Sequence, residues 1–540
     1  MTGELFPASE FEKALIMRGE PILLYAGLAI IVLLLVLSSG LAYKVLRRKV
    51  SRKGAAAIFA IILIFIAFRA TFVPLTSRIF FDEDLYLNTG KNIAESMQAC
   101  MCNYAEKGDC VDCIMNKAPS SHPFVLGWAV SLFGAEKGQL IISTIFPALS
   151  IFLAFVAGTL LFGKESAGIV SAGALSAVPV FIEWSMTAAA EPTMLFFFLL
   201  SLATLMLFRE TGSLRFLFLF STALSFLVQT KAEGILFVPL FYLGALLFYP
   251  WRRASLPANI LHLSLSLALV LALSSIALIH ISIAGKGSDW GAGELEKFSI
   301  GNFLQIFPVN SKFLLFGYPE ISVHPISLTI FALVGLATML VPKKGLFLPK
   351  QAFFLSIAFL SFFLLYCFFY AGSVKYGADV RYALAYYPAL ALLAGAFGRL
   401  LSRNGAIILA VFLIISSIYY AFPQVSRQAP DIAEAKRARD YRDYALLEIS
   451  RGNLPKECVI VSHVTSLYAN EGYSTAQPWY IENPELSARI REGNPCVVFD
   501  YGFWCTVPPF EEGQCRRISE AFSDKALSKS PDGFAFYNVT

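Results

Sequence analysis

The chain has 540 residues, of which 57% are hydrophobic and 15% charged, with a mean hydropathy of +0.64 and a formal net charge of +5. That balance excludes an ordinary soluble enzyme and leaves a polytopic membrane protein. The modest positive charge resides in short loops and carries no nucleic-acid signature.

A helix needs about 20 apolar residues to cross the hydrocarbon core of a bilayer. Stretches of that kind fall at 21–43, 54–75, 139–162, 166–183, 193–208, 214–230, 233–250, 257–284, 321–341, 351–371, 382–400 and 405–422. About twelve membrane helices are therefore expected. Over the first 20 residues, Glu4, Glu10, Glu12 and Glu20 mix with Lys13 and Arg18, unlike the basic start of a cleaved signal peptide. Ser9-x-x-Glu12 predicts the capping box of a short surface helix.

Lys44, Arg47, Arg48, Lys49, Arg52 and Lys53 crowd the first connection. Every second loop after it is short and basic: Lys164; Arg209 and Arg215; Arg252 and Arg253; Lys343, Lys344 and Lys350; Arg399 and Arg403. The positive-inside bias assigns these loops to the cytoplasm. Both termini, a large first loop at 76–138 and a loop at 285–320 around Trp290 are then expected outside. Cysteines agree with this topology. Cys100, Cys102, Cys110 and Cys113 share the first outer loop, Cys458, Cys496, Cys505 and Cys515 share the C-terminal region, and Cys367 alone falls in a span. Even sets on one side read as disulfides of an oxidising compartment. Cys110-x-x-Cys113 also has zinc-ligand spacing.

Beyond residue 422 the composition changes. A charged helix from Asp431 to Ser450 is followed by β-rich runs at 458–462, 496–500 and 534–537, which predicts a small α/β domain. The expected architecture is an all-α polytopic membrane domain over 1–422 with an extracytoplasmic α/β domain over 423–540.

Polar groups recur along the outer ends of the spans. Asp82-Glu83-Asp84 precedes Tyr86, and Ser121-His122-Pro123 precedes the third span. Glu191-Pro192 opens the fifth span, Lys231 lies in an outer turn, and Arg381-Tyr-Ala-Leu-Ala-Tyr-Tyr-Pro388 opens the eleventh. Arg69 lies near the outer end of the second. Charges at one membrane face are costly if they point into lipid, so several together suggest a shared polar cavity.

This order resembles the GT-C superfamily of membrane glycosyltransferases, especially the protein O-mannosyltransferase and aminoarabinose-transferase branch (families 39 and 83). The resemblance covers roughly residues 60–420 and includes an inner Leu161-Phe-Gly-Lys164. It implies transfer of a hexosyl or pentosyl group, with inversion, from a polyprenyl-phosphate (dolichyl or undecaprenyl) donor. The acceptor would be a protein, lipid or glycan outside the cytoplasm. It also implies Asp82 as general base, Glu83 as an orienting group, and Arg381, Lys231, His122 and Arg69 as donor-phosphate contacts. Tyr86, Glu191 and Tyr386 become substrate contacts. No cofactor is obligatory on this view, although a divalent metal is compatible with it.

Simpler roles exist for the same residues: a helix cap for His122, a rim ion pair with Glu233 for Lys231, interface snorkelling for Arg69, and belt positions for the tyrosines. The arginine that relatives often carry just after the third span begins is missing, and Lys137 and Gln139 are the nearest polar residues. The four-cysteine stretch resembles an insertion, and the first span is extra. A transporter or lipid flippase is the alternative function, and it would place ionisable residues near the midplane.

Overall fold

The computed structural model describes residues 9–72, 82–103, 112–114, 119–185, 187–251, 255–284, 297–317, 324–342, 347–375, 377–427, 429–506 and 511–539. Arg252, Arg253, Lys343, Lys344, Trp290 and Cys110 lie outside these residues, as do the side chains of Asp82, Glu83, Cys102 and Cys113.

In chain order the elements begin with α1 (Glu10–Lys49), α2 (Arg52–Phe72) and α3 (Asp82–Ser96), then β1 (Met101–Asn103) and β2 (Asp112–Ile114). Next come α4 (Ser121–Phe133), α5 (Ala135–Phe162), α6 (Glu165–Ser176), α7 (Pro179–Trp184), α8 (Ala190–Thr211) and α9 (Leu214–Val228). The series continues with α10 (Phe237–Phe248), α11 (Leu256–Ala284), α12 (Ile300–Phe316), α13 (Ile326–Leu340), α14 (Pro349–Phe368), α15 (Tyr387–Gly398), α16 (Arg403–Arg427) and α17 (Ala429–Ser450). The chain closes through β3 (Cys458–Val461), α18 (Thr465–Asn470), β4 (Ser474–Ala476), β5 (Cys496–Tyr501), β6 (Ala526–Lys529) and β7 (Ala535–Asn538), with short helical pieces between β4 and β6.

Every predicted apolar stretch contains helix, but the lengths vary. Among the described residues, six helices are long and apolar enough to cross a membrane, and the others are shorter. The expected span at 166–183 is two pieces: α6 stops at Ser176, and Pro179 opens α7 at the position where its missing N–H costs nothing. The acidic cluster is also not loop. Asp82, Glu83 and Asp84 form the first turn of α3, where the helix dipole favours negative residues. The capping box at Ser9 and Glu12 is present, but it opens the 40-residue α1 rather than a short surface helix.

The described residues form two compact units. The first is drawn from Met1–Pro74, Lys117–His122 and Ile141–Gln428, and the second from Leu75–Asn116, Pro123–Leu140 and Ala429–Thr540. In the first unit α15 packs between α6 and α13. Small residues permit the approach: a Cβ on Gly335 would fall 1.9 Å from the Leu393 carbonyl oxygen, and one on Gly395 the same distance from Ser171 Oγ. Helix α8 packs on α9 and is buried along almost all its length, as an all-round apolar Phe/Leu sequence requires.

In the second unit a five-stranded sheet has the order β4-β3-β5-β7-β6. Strand β3 runs parallel to β4 and β5, while β7 is antiparallel to both β5 and β6. Side chains alternate between two cores. Ile460, Val498 and Phe536 meet Tyr441 and Ala445 of α17, while Val459, Val461, Val497 and Phe499 face the other side. Disulfides Cys458–Cys496 and Cys505–Cys515 close this region, Cys100 is also disulfide-bonded, and Cys367 is a buried free thiol.

Candidate functional site

Three separate pieces of the first unit bring their charges together. Glu191 is the second residue of α8, followed by Pro192, so its carboxylate sits where the dipole favours it. Lys231 is in extended conformation between the end of α9 and a 3-10 turn at Ala232–Leu236. Arg381 lies on a 3-10 helix, Gly377–Ala385, leading into α15. Lys231 Nζ is 2.9 Å from Glu191 Oε1, and Arg381 Nε is 3.3 Å from the same oxygen. Lys231 Nζ is also 3.0 Å from Glu233 Oε1, which accepts a hydrogen bond from Tyr366 Oη at 2.8 Å.

Aromatic rings complete the enclosure. Lys231 Nζ stands 4.7 Å from the Tyr382 ring centre, and the Arg381 guanidinium lies 5.4 Å from that of Trp184 and 5.5 Å from that of Tyr382. Ring quadrupoles attract cations in this arrangement. Burial alone would push Lys231 toward the neutral amine, but Glu191 first and then Glu233 outweigh it and hold its pKa above the ordinary value. The ammonium therefore stays charged. Dehydrating such ions costs several kcal/mol each, and apolar replacements of buried pairs are often neutral or stabilising. Folding alone does not demand this cluster, and dense buried charge is a mark of functional sites.

The remaining candidates do not join these ion pairs, although His122 lies close enough to Glu191 to interact with its charge. Both ring nitrogens of His122 are engaged, Nδ1 with Thr193 Oγ1 at 2.9 Å and Nε2 with the Ala188 carbonyl oxygen at 2.6 Å. Arg69 is buried and donates to Thr144 Oγ1 at 2.7 Å and Ser143 Oγ at 3.2 Å on α5, so it does not snorkel to an interface. Tyr386 is buried edge-on against Phe359 and Phe363. Asp82, Glu83 and the buried Tyr86 belong to α3 of the second unit.

Comparison with known proteins gives the fold a name. The family model for dolichyl-phosphate-mannose-protein mannosyltransferases matches residues 117–279. No curated protein matches the chain at a significant level. Among solved structures, ArnT from Cupriavidus metallidurans in the apo state is 13% identical, with a TM-score of 0.59, covering 90% of this chain and 98% of that one. The same protein bound to undecaprenyl phosphate is 14% identical, with a TM-score of 0.57, covering 91% and 98%. The chain has the GT-C fold.

The family match includes His122, Glu191 and Lys231 and stops before Arg381. Sequence reasoning did not single out Trp184, Tyr366 or Tyr382. Tyr382 directly follows Arg381 and stacks on Tyr366 at 5.0 Å, so the Arg-Tyr dipeptide held a signal. Among the described residues, the one group of three metal-ligand side chains in mutual reach is His463, Cys505 and Cys515. Its two sulfurs are joined in a disulfide, so they are not thiolate ligands.

Proposed function

We propose that the chain is a glycosyltransferase moving a hexosyl or pentosyl group from a polyprenyl-phosphate donor to an acceptor on the extracytoplasmic side, with inversion. The observation that carries this reading is the convergence of Lys231 and the partly buried Arg381 on the buried Glu191, set in the GT-C fold. Phosphate is the leaving group of such a reaction, and paired cations stabilise the charge it acquires. Glu191 preorganises the two cations and shares them with the arriving phosphate. The undecaprenyl phosphate bound by ArnT supports a lipid-phosphate ligand here.

Asp82 acts as the base. It takes the proton of the acceptor nucleophile as that atom attacks the anomeric carbon; the carbon–oxygen bond to phosphate breaks, and polyprenyl phosphate departs with the bonding pair. In-line displacement inverts the anomeric centre. Disulfides at Cys100 and in the C-terminal region support an oxidising, extracytoplasmic placement for both segments. Protein, lipid and glycan acceptors all suit this chemistry, and the charge cluster neither requires nor excludes a divalent metal. Asp82→Asn, in membranes supplied with extracted polyprenyl-phosphate sugars, is expected to abolish transfer while the protein still inserts. Undiminished transfer would overturn the assignment of the base.

A further inference from the structure

Helix α3 is held at three places within the second unit. On one side it crosses α4 glycine against glycine: a Cβ on Gly90 would fall 2.4 Å from the Pro123 carbonyl oxygen, and one on Gly127 2.0 Å from the Gly90 carbonyl oxygen. Near its C-terminal end, Asn92 Nδ2 donates to the carbonyl oxygen of disulfide-bonded Cys100 at 2.8 Å. The third hold is α18, part of the C-terminal domain, on the face that Asn88 shares with Asn92. Asn88 Nδ2 donates to Asn470 Oδ1 at 3.3 Å, and Lys91 Nζ donates to the Asn470 carbonyl oxygen at 3.3 Å.

The amides form a ladder, because Asn92 Nδ2 also donates to Asn88 Oδ1 at 3.3 Å. Asn88 and Asn92 are buried. Neutral hydrogen bonds of this kind add little net stability, and two leucines would hold the helices together as well. What amides add is direction. An apolar contact tolerates sliding and rotation, whereas an amide pair fixes both. Asp82 lies six residues before Asn88, about 9 Å along the same rigid helix, so an error at Asn88 is carried to it.

We propose that Asn470 is a positioning residue for glycosyl transfer, which fixes the rotation and height of α3 through Asn88 and so aims Asp82 from the C-terminal domain. The inference rests on Asp82 being the base. The domain then belongs to the catalytic apparatus. It supplies no reacting group and sets where the base stands.

The test uses the full chain in membranes, with the extracted polyprenyl-phosphate-sugar fraction as donor. Asn470→Leu is expected to lower kcat roughly tenfold to a hundredfold, the cost of about 1 Å of misplacement, with the donor KM little changed. Asn470→Asp and Asn88→Asp each still set an acceptor against an amide donor, so each recovers most of the rate that leucine removes. The double variant Asn88→Asp/Asn470→Asp faces acceptor with acceptor and falls as far as Asn470→Leu. A full rate for Asn470→Leu, in a system where Asp82→Asn is inactive, overturns the positioning role and leaves the base standing. An active Asp82→Asn removes the base itself. Should the leucine variant fail to accumulate, the aspartate set decides: a double variant no worse than the sum of its singles contradicts the proposal.

Discussion

Two buried polar clusters, one in each unit, show opposite ways of keeping charge away from water. In the first unit, Lys231 and Arg381 are matched by Glu191 and Glu233, two cations against two carboxylates. In the C-terminal domain, Asp500 on β5 stands without a cation among the groups bonded to it. Its Oδ2 accepts from Ser462 Oγ at 2.7 Å and from Tyr441 Oη, whose oxygen is 3.0 Å from Tyr468 Oη. Its Oδ1 has no hydrogen-bond partner among the described residues. The two outcomes differ accordingly. Opposite charges hold Lys231 ionised. Burial instead pushes the Asp500 carboxyl up to about 6, because hydroxyl donors offset only part of the desolvation. Full charge, rather than hydrogen bonding alone, keeps an ion tolerable inside a protein.

Removing one member of the matched cluster should have the largest effect. Lys231→Met leaves Glu191 and Glu233 facing each other with less compensation, and a loss of roughly 3–5 kcal/mol is expected. It would be read as a fall in the thermal midpoint of the purified chain, while Lys231→Arg keeps the charge and loses much less. Equal stability in Lys231→Met would erase the distinction between the clusters.

The lone carboxylate should show itself through pH. Folding raises the proton affinity of Asp500, so between about pH 4 and pH 6 the folded domain keeps a proton that the unfolded chain has released. Stability therefore falls as pH rises through that window, by roughly 3 kcal/mol for a shift from 3.8 to about 6. Asp500→Asn should flatten this dependence, measured as the pH profile of unfolding for wild type and variant. The smallest expected effect is at Tyr366→Phe, which removes the hydroxyl donor to Glu233 but leaves Lys231 beside it, and should cost about 1.5 kcal/mol in the same unfolding measurement.

Glu191, Lys231 and Arg381 could be found in the sequence because charges stand out at the ends of apolar helices. Trp184, Tyr366 and Tyr382 could not, because 14% of the chain is aromatic and ring–ring packing uses the same residues. The C-terminal strands β3, β5 and β7 were legible as apolar β-rich runs. Strand β4, three residues of Ser-Thr-Ala, and the mostly exposed β6 at the sheet edges carried no such pattern. Asn88 and Asn92 are spaced to share a helix face, but that spacing has meaning only once residues 82–96 are helical. The acidic cluster drew attention as loop chemistry, and so the helix went unseen.

The central claim is that Lys231 and Arg381 receive a lipid-borne phosphate. The most direct measurement is the affinity of the full chain for undecaprenyl phosphate, against phosphate-free undecaprenol, in wild type and Arg381→Gln. Loss of a charge-assisted contact worth about 1.5–3 kcal/mol should weaken binding of the phosphate roughly tenfold or more and leave the alcohol unaffected. Unchanged affinity for the phosphate, or an equal loss for both lipids, would contradict the account.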